Sequence, residues 1–107
     1  MEDRYLFKGK EKDSGKWLEW NAIAGIPHNV TILTDTICQC TGLKDKNGKL
    51  IWENDIMKYQ WDGKTRIDVI KYDAPMFSYK NSVRWNLYQD EVIGNIFDNP
   101  ELLESEE

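Results

Sequence analysis

Residues 41–59 read T-G-L-K-D-K-N-G-K-L-I-W-E-N-D-I-M-K-Y, from Thr41 to Tyr59, and this stretch decides the fold. Asn47-Gly48 is a dipeptide that a two-residue type I′ turn prefers, because both central positions need a positive φ. Apolar residues flank it on both sides, Ile37 and Leu43 before and Leu50 and Ile51 after, so a β-hairpin is expected here. Glu53-Asn54-Asp55 then makes a polar corner that leads into a strand over Ile56–Tyr59. The stretch speaks to architecture and hardly to chemistry.

The same grammar recurs outward in both directions, as short alternating segments separated by turn residues. Tyr5–Lys10 reads as a strand, Asp13-Ser14-Gly15 as its turn, and Lys16–Ile23 as the returning strand that carries Trp17, Leu18 and Trp20. Gly25 and Pro27 break the pattern into a loop, followed by a short edge strand over Val30–Leu33 and a strand over Ile37–Thr41. Past Tyr59, Asp62-Gly63 is another favoured turn, ahead of a strand over Thr65–Tyr72 with Ile67, Val69 and Lys71 alternating. Val83–Tyr88 and Glu91–Ile96 are two further strand candidates, with Asp90-Glu91 read as an exposed turn between them. Asp98 and Asn99 offer a cap ahead of Pro100, so residues 100–104 predict one helical turn.

The fold class expected is therefore mostly β: a small antiparallel domain with an SH3-like barrel element, an N-terminal hairpin and a short C-terminal helical turn. One domain spans 1–107, with a hairpin region over 1–36, a barrel-like region over 37–100 and an acidic tail over 101–107. The residues expected to contribute most to cores or interfaces are Trp17, Trp20, Ile51, Trp52, Ile56, Tyr59, Ile67, Val69, Val92, Ile93 and Ile96.

Three blocks in order along the chain carry a family resemblance. They are F-K-G-K-E-K-D-S-G-K-W-L-E (Phe7 to Glu19), the central block quoted above, and E-V-I-G-N-I-F-D-N-P-E-L-L (Glu91 to Leu103). Together they resemble the YopX-type proteins encoded by phages and prophages of Gram-positive bacteria. Where that family often has Glu-Gly-Asp before its central strand, this chain has Glu53-Asn54-Asp55, and Asn enters the left-handed region more readily than most residues. The resemblance implies a mostly-β fold, a phage or prophage setting and homo-oligomerisation. It carries over no reaction, no cofactor and no catalytic residue.

Composition narrows the function classes. The net charge of −5 divides unevenly: residues 1–100 hold fifteen acids against fourteen bases, and the other four acids are Glu101, Glu104, Glu106 and Glu107. A near-neutral body lacks the broad basic footprint of a generic phosphate binder. No apolar run approaches the roughly 18 residues of a membrane span, and Met1-Glu-Asp-Arg lacks the basic start of a signal peptide. The expectation is a protein of the bacterial cytoplasm with no membrane partner. Cys38 and Cys40 sit two apart on one face of a strand and read as reduced thiols.

The residues that could carry chemistry form no reactive set. Two Cys and the single His28 make a poor structural metal site, which needs about four ligands, and His28 sits in a Gly/Pro loop without the partners of a catalytic base. Glu53/Asp55 reads as turn capping, and Gly42, Gly48 and Gly63 are isolated turn glycines with no phosphate loop among them. No enzyme, cofactor or metal is expected.

Two binding readings remain. Thirteen aromatic residues are more than one small core hides, and surplus Trp and Tyr commonly end at interfaces, which favours self-assembly or docking to a host or phage protein. The alternative is a single-stranded nucleic-acid binder whose surface is Lys8, Lys10, Trp17, Lys44 and Lys46, because small β-barrels bind single strands with aromatics set among basic residues. Lysines on edge strands also serve to prevent edge-to-edge pairing, and tryptophans are more often core.

Overall fold

A computed structural model of the chain describes residues 5–73, 76–80 and 87–104. Eight strands are present: β1 (Leu6–Lys10), β2 (Trp17–Asn21), β3 (Cys38–Lys44), β4 (Leu50–Trp52), β5 (Asp55–Trp61), β6 (Lys64–Asp73), β7 (Met76–Tyr79) and β8 (Glu91–Asn95). They form two antiparallel four-stranded sheets, in the orders β2-β1-β3-β4 and β7-β6-β5-β8. A helix over Glu101–Glu104 closes the described chain. The mostly-β fold, its hairpins and the terminal helical turn are as the sequence predicts. Where a barrel-like element is expected, both sheets are open.

The short step from β4 to β5 joins the sheets. Trp52 and Asp55 flank a two-residue corner in which Asn54 has φ 73°, the left-handed conformation its residue type tolerates. The Asp55 carboxylate accepts from the Trp52 N–H at 2.8 Å, and the Asn54 backbone spans the junction, donating to Ile70 O at 2.8 Å and accepting from Ile96 N at 3.1 Å.

Because alternate residues of a strand face opposite ways, β4 feeds two cores. Ile51 joins Met57, Tyr59, Ile70, Tyr79, Leu87 and Val92 on one face of the second sheet, with Tyr59 and Tyr79 stacked at 4.5 Å. Trp52 joins Cys38 and Cys40 on the first sheet, with Leu6, Trp17, Leu50 and Phe97 around them. Of the expected core, Ile51, Trp52, Ile56, Tyr59, Val69 and Val92 are buried, while Trp17, Trp20, Ile67, Ile93 and Ile96 are half-buried.

The central turn is not type I′. Asn47 is absent from the positive-φ residues, whereas Gly48 has φ 81° and donates to Asp45 O at 3.0 Å, which gives a three-residue loop with Gly48 in the bulge position. The reason is Asp45: one carboxylate oxygen accepts the N–H groups of Asn47 and Lys49, each at 2.9 Å, and holds the backbone in the three-residue loop. The two positive φ values of a type I′ turn occur instead at Asp62 (54°) and Gly63 (74°), between β5 and β6.

Other expectations change as well. Val30–Leu33 makes only a single bridge, Ile32 to Glu11, because Thr34–Thr36 already turns the chain. The strand candidate Val83–Tyr88 falls largely outside the described residues, and Leu87 and Tyr88 belong to a 3-10 turn over Leu87–Gln89. Strand β7 has no counterpart in the sequence reading. Asp90 is not exposed: it is buried and accepts from the Tyr79 hydroxyl at 2.5 Å, so the acid anchors the entry to β8. The tail splits, with Glu101–Glu104 helical and 105–107 outside the described residues.

Candidate functional site

Register on the first sheet places Lys8 across from Glu19 and Lys10 across from Trp17 in the β1/β2 hairpin, while Lys8 also pairs with Cys38 of β3. Residues directly opposite share a face. One face of the sheet therefore carries Leu6, Lys8, Lys10, Trp17, Glu19, Cys38 and Cys40, and Trp52 joins it from β4 opposite Cys40. The Lys8 ammonium stands 4.7 Å from the ring centroids of both Trp17 and Trp52, a cation held between two aromatic faces.

The segment after β8 folds back over this face. Phe97 meets the Trp17 ring edge-on at 5.9 Å, and Asp98 accepts from the Trp17 indole N–H at 2.8 Å while pairing with the Lys10 ammonium. The Lys10 ammonium and the Trp17 N–H hold the Asp98 carboxyl down to about 2. Asn95 fixes the turn, its Oδ1 accepting from the N–H groups of Phe97 and Asp98, each at 2.9 Å.

Of the five residues picked from sequence as a binding surface, the fold brings three together and separates two. Lys8, Lys10 and Trp17 form one cluster, and Lys10 is already neutralised by Asp98. Lys44 lies exposed at the end of β3, and Lys46 sits in the hairpin loop with its ammonium 3.9 Å from Glu91. His28 is exposed in its loop, and Cys38 and Cys40 are buried free thiols. Burial pushes the Cys38 thiol up, against a smaller opposing effect of its hydrogen bond with Asn54, so the thiolate is disfavoured. Among the described residues no three His, Cys, Asp or Glu side chains gather as metal ligands would, and no helix is long and apolar enough to cross a membrane.

A cleft of about 510 Å3 opens between this face and β8. Lys8, Glu19, Lys49, Leu50 and Trp52 line it from the first sheet, and Asp55, Asn99 and residues 92–95 from the other side. Its β8 wall contains a bulge: Ile56 pairs with Gly94 and Met57 with Val92, which leaves Ile93 as an extra residue in the ladder. Gly94 is needed there, because a Cβ would stand 2.6 Å from Oδ1 of Asn99. Asp55 is only 3% exposed, and burial raises its carboxyl to about 6 against the opposing pull of the Trp52 N–H and the Lys8 and Lys49 charges. Sequence reading takes Asp55 as a turn acid, places Lys49 with Lys44 and Lys46 at the central turn, and passes over Glu19. Glu19, Lys49 and Asp55 come from β2, the central hairpin and β5, and no local spacing signals their meeting.

The YopX family profile, described as "YopX protein", matches residues 1–104. Among solved structures, the crystal structure of protein EF1440 from Enterococcus faecalis aligns with a TM-score of 0.63 and 25% identity over 91% of this chain and 96% of that chain. Among curated proteins, none matches this chain. The three sequence blocks, the two-sheet fold and a match over nearly the whole length agree, and the chain belongs to the YopX family.

Proposed function

We propose that this is a non-enzymatic accessory protein of a phage or prophage, acting in the bacterial cytoplasm, that assembles with itself and presents the assembled surface to a host or phage protein. The observation that carries the reading is Trp61. It lies on β5 in alternation with the core residues Met57 and Tyr59, on the same face of the second sheet, yet it is 59% exposed. Tyr72, which follows the core residue Ile70 in the same way on β6, is 53% exposed and packs edge-on against Phe77 at 5.0 Å. The core face thus runs past its own covering at both ends of the β5/β6 hairpin, and a second copy burying these rings gains apolar area. A body of near-zero charge offers little repulsion between copies.

The nucleic-acid alternative through Lys8, Lys10, Trp17, Lys44 and Lys46 has less support. Lys10 is paired with Asp98, Lys46 lies beside Glu91, and Trp17 is engaged by Lys8 and Phe97. Light scattering at micromolar concentration decides the first reading: a mass that is a multiple of 12.6 kDa, returned to the monomer by Trp61→Ser, is expected. A monomer mass for the unaltered protein overturns it. Single-strand binding that weakens steeply with salt moves the assignment to the lysine surface.

A further inference from the structure

The cleft described above holds charged groups of both signs, and the Lys8 and Lys49 charges act on Asp55 without closing a salt bridge to it. Among the described residues, Lys8, Lys49 and Glu19 make no ion pair, although Lys8 and Glu19 face each other across β1 and β2. Asp55, nearly fully buried, spends one oxygen on the Trp52 N–H. The Trp52 N–H and the Lys8 and Lys49 charges offset only part of the cost of burying this carboxylate, and an ammonium group from outside offsets more of it.

The cleft is also too large for an ion. At about 510 Å3 it falls among organic-ligand sites, which span roughly 300–1,000 Å3. Leu50, Trp52 and Val92 supply an apolar wall, and the bulged backbone at Ile93 interrupts the ladder beside it. A ligand of one charge sign meets a like-charged pair as well as an opposite one. A ligand carrying both signs meets two complementary pairs.

We propose that this cleft binds a small zwitterion with an apolar side group, of the free apolar amino-acid class, its ammonium toward Asp55 and Glu19 and its carboxylate toward Lys8 and Lys49. Neither Trp61 nor Tyr72 lines the cleft, so ligand binding is tested separately from self-assembly.

Amide chemical-shift titration of the full chain with L-leucine and L-phenylalanine tests this, with the methyl ester of each and the N-acetyl derivative of each as controls. Saturable shifts at Gly94, Asn95 and Lys49 are expected with the free amino acids, and binding about tenfold weaker with either blocked form, the loss of roughly one charge-assisted contact. Glu19→Gln and Lys49→Met change exposed side chains and leave the fold intact; each weakens binding of the free amino acid several-fold. Absence of shifts at the cleft up to about 10 mM ligand, an affinity too weak to count as recognition, overturns the proposal. So does equal binding of the blocked forms.

Discussion

The indole N–H of Trp17 donates to Oδ2 of Asp98 across 2.8 Å, joining residues 81 positions apart in sequence. Asp98 also takes the Lys10 ammonium, so a single acid ties the C-terminal segment to the first hairpin. The side chain of Asp98 is 37% exposed, which limits the value of the ion pair to a surface-type contribution.

Asp98→Ala is expected to destabilise the protein by about 1–2 kcal/mol, the indole hydrogen bond plus a small ionic part. Asp98→Asn keeps an acceptor for the indole and costs less. Urea denaturation measures both, and tryptophan emission of the folded state reports the change around Trp17. Because the folded carboxyl is held below its ordinary value, this contribution is complete above about pH 4 and disappears as pH falls through about 2. An unchanged midpoint in Asp98→Ala contradicts the role given to the contact.

Asp55 has the opposite sign. Burial raises its folded carboxyl from 3.8 to about 6, so the folded state holds the proton more tightly than the unfolded chain. Stability should therefore rise as pH is lowered from 8 through 6 toward 4, by at most about 3 kcal/mol for a shift of this size. Asp55→Asn retains an oxygen for the Trp52 N–H while removing the charge, and should flatten that slope. Urea midpoints at pH 4.5 and pH 8 for both proteins check it; a parallel pH response in the variant rules out Asp55 as the source.

Gly94→Ala tests the tight contact behind β8. The added Cβ would meet Oδ1, Cγ and Cβ of Asn99 at 2.6, 2.8 and 2.9 Å, so a whole side chain, and not a flexible tip, must move. A loss of about 1–3 kcal/mol is expected from overpacking. Asn99→Ala in the same chain leaves the Asn99 Cβ in place and should restore only part of it, and the double-mutant cycle gives the coupling between the two positions. Full additivity of the two changes would show that the contact carries no energy.

The local grammar of this chain was legible because turn residues act through their own φ. Asn54 takes the left-handed conformation between β4 and β5, Asp62-Gly63 turns β5 into β6, and the strands around them follow from alternation. The limit of that grammar shows at Asn47, where the dipeptide preference lost to the Asp45 carboxylate. That carboxylate satisfies two amides of the loop and, through its other oxygen, the Val92 N–H 47 residues away at 2.9 Å. Asp90 meets the same limit: an acid before a strand reads as solvent-facing, and only the fold sets the Tyr79 hydroxyl against it.

The strand-rich class, the hairpin positions and core residues such as Ile51, Ile56 and Val69 are legible in the chain alone, since they rest on turn residues and period-2 patterning, and the YopX kinship is legible in its three blocks. Tertiary structure alone decided that the sheets stay open, that Lys10 is spent on Asp98, and that Lys8, Glu19, Lys49 and Asp55 line one cleft. Those facts depend on pairings between segments tens of residues apart, and residue type and spacing carry no record of which distant partner each side chain will meet.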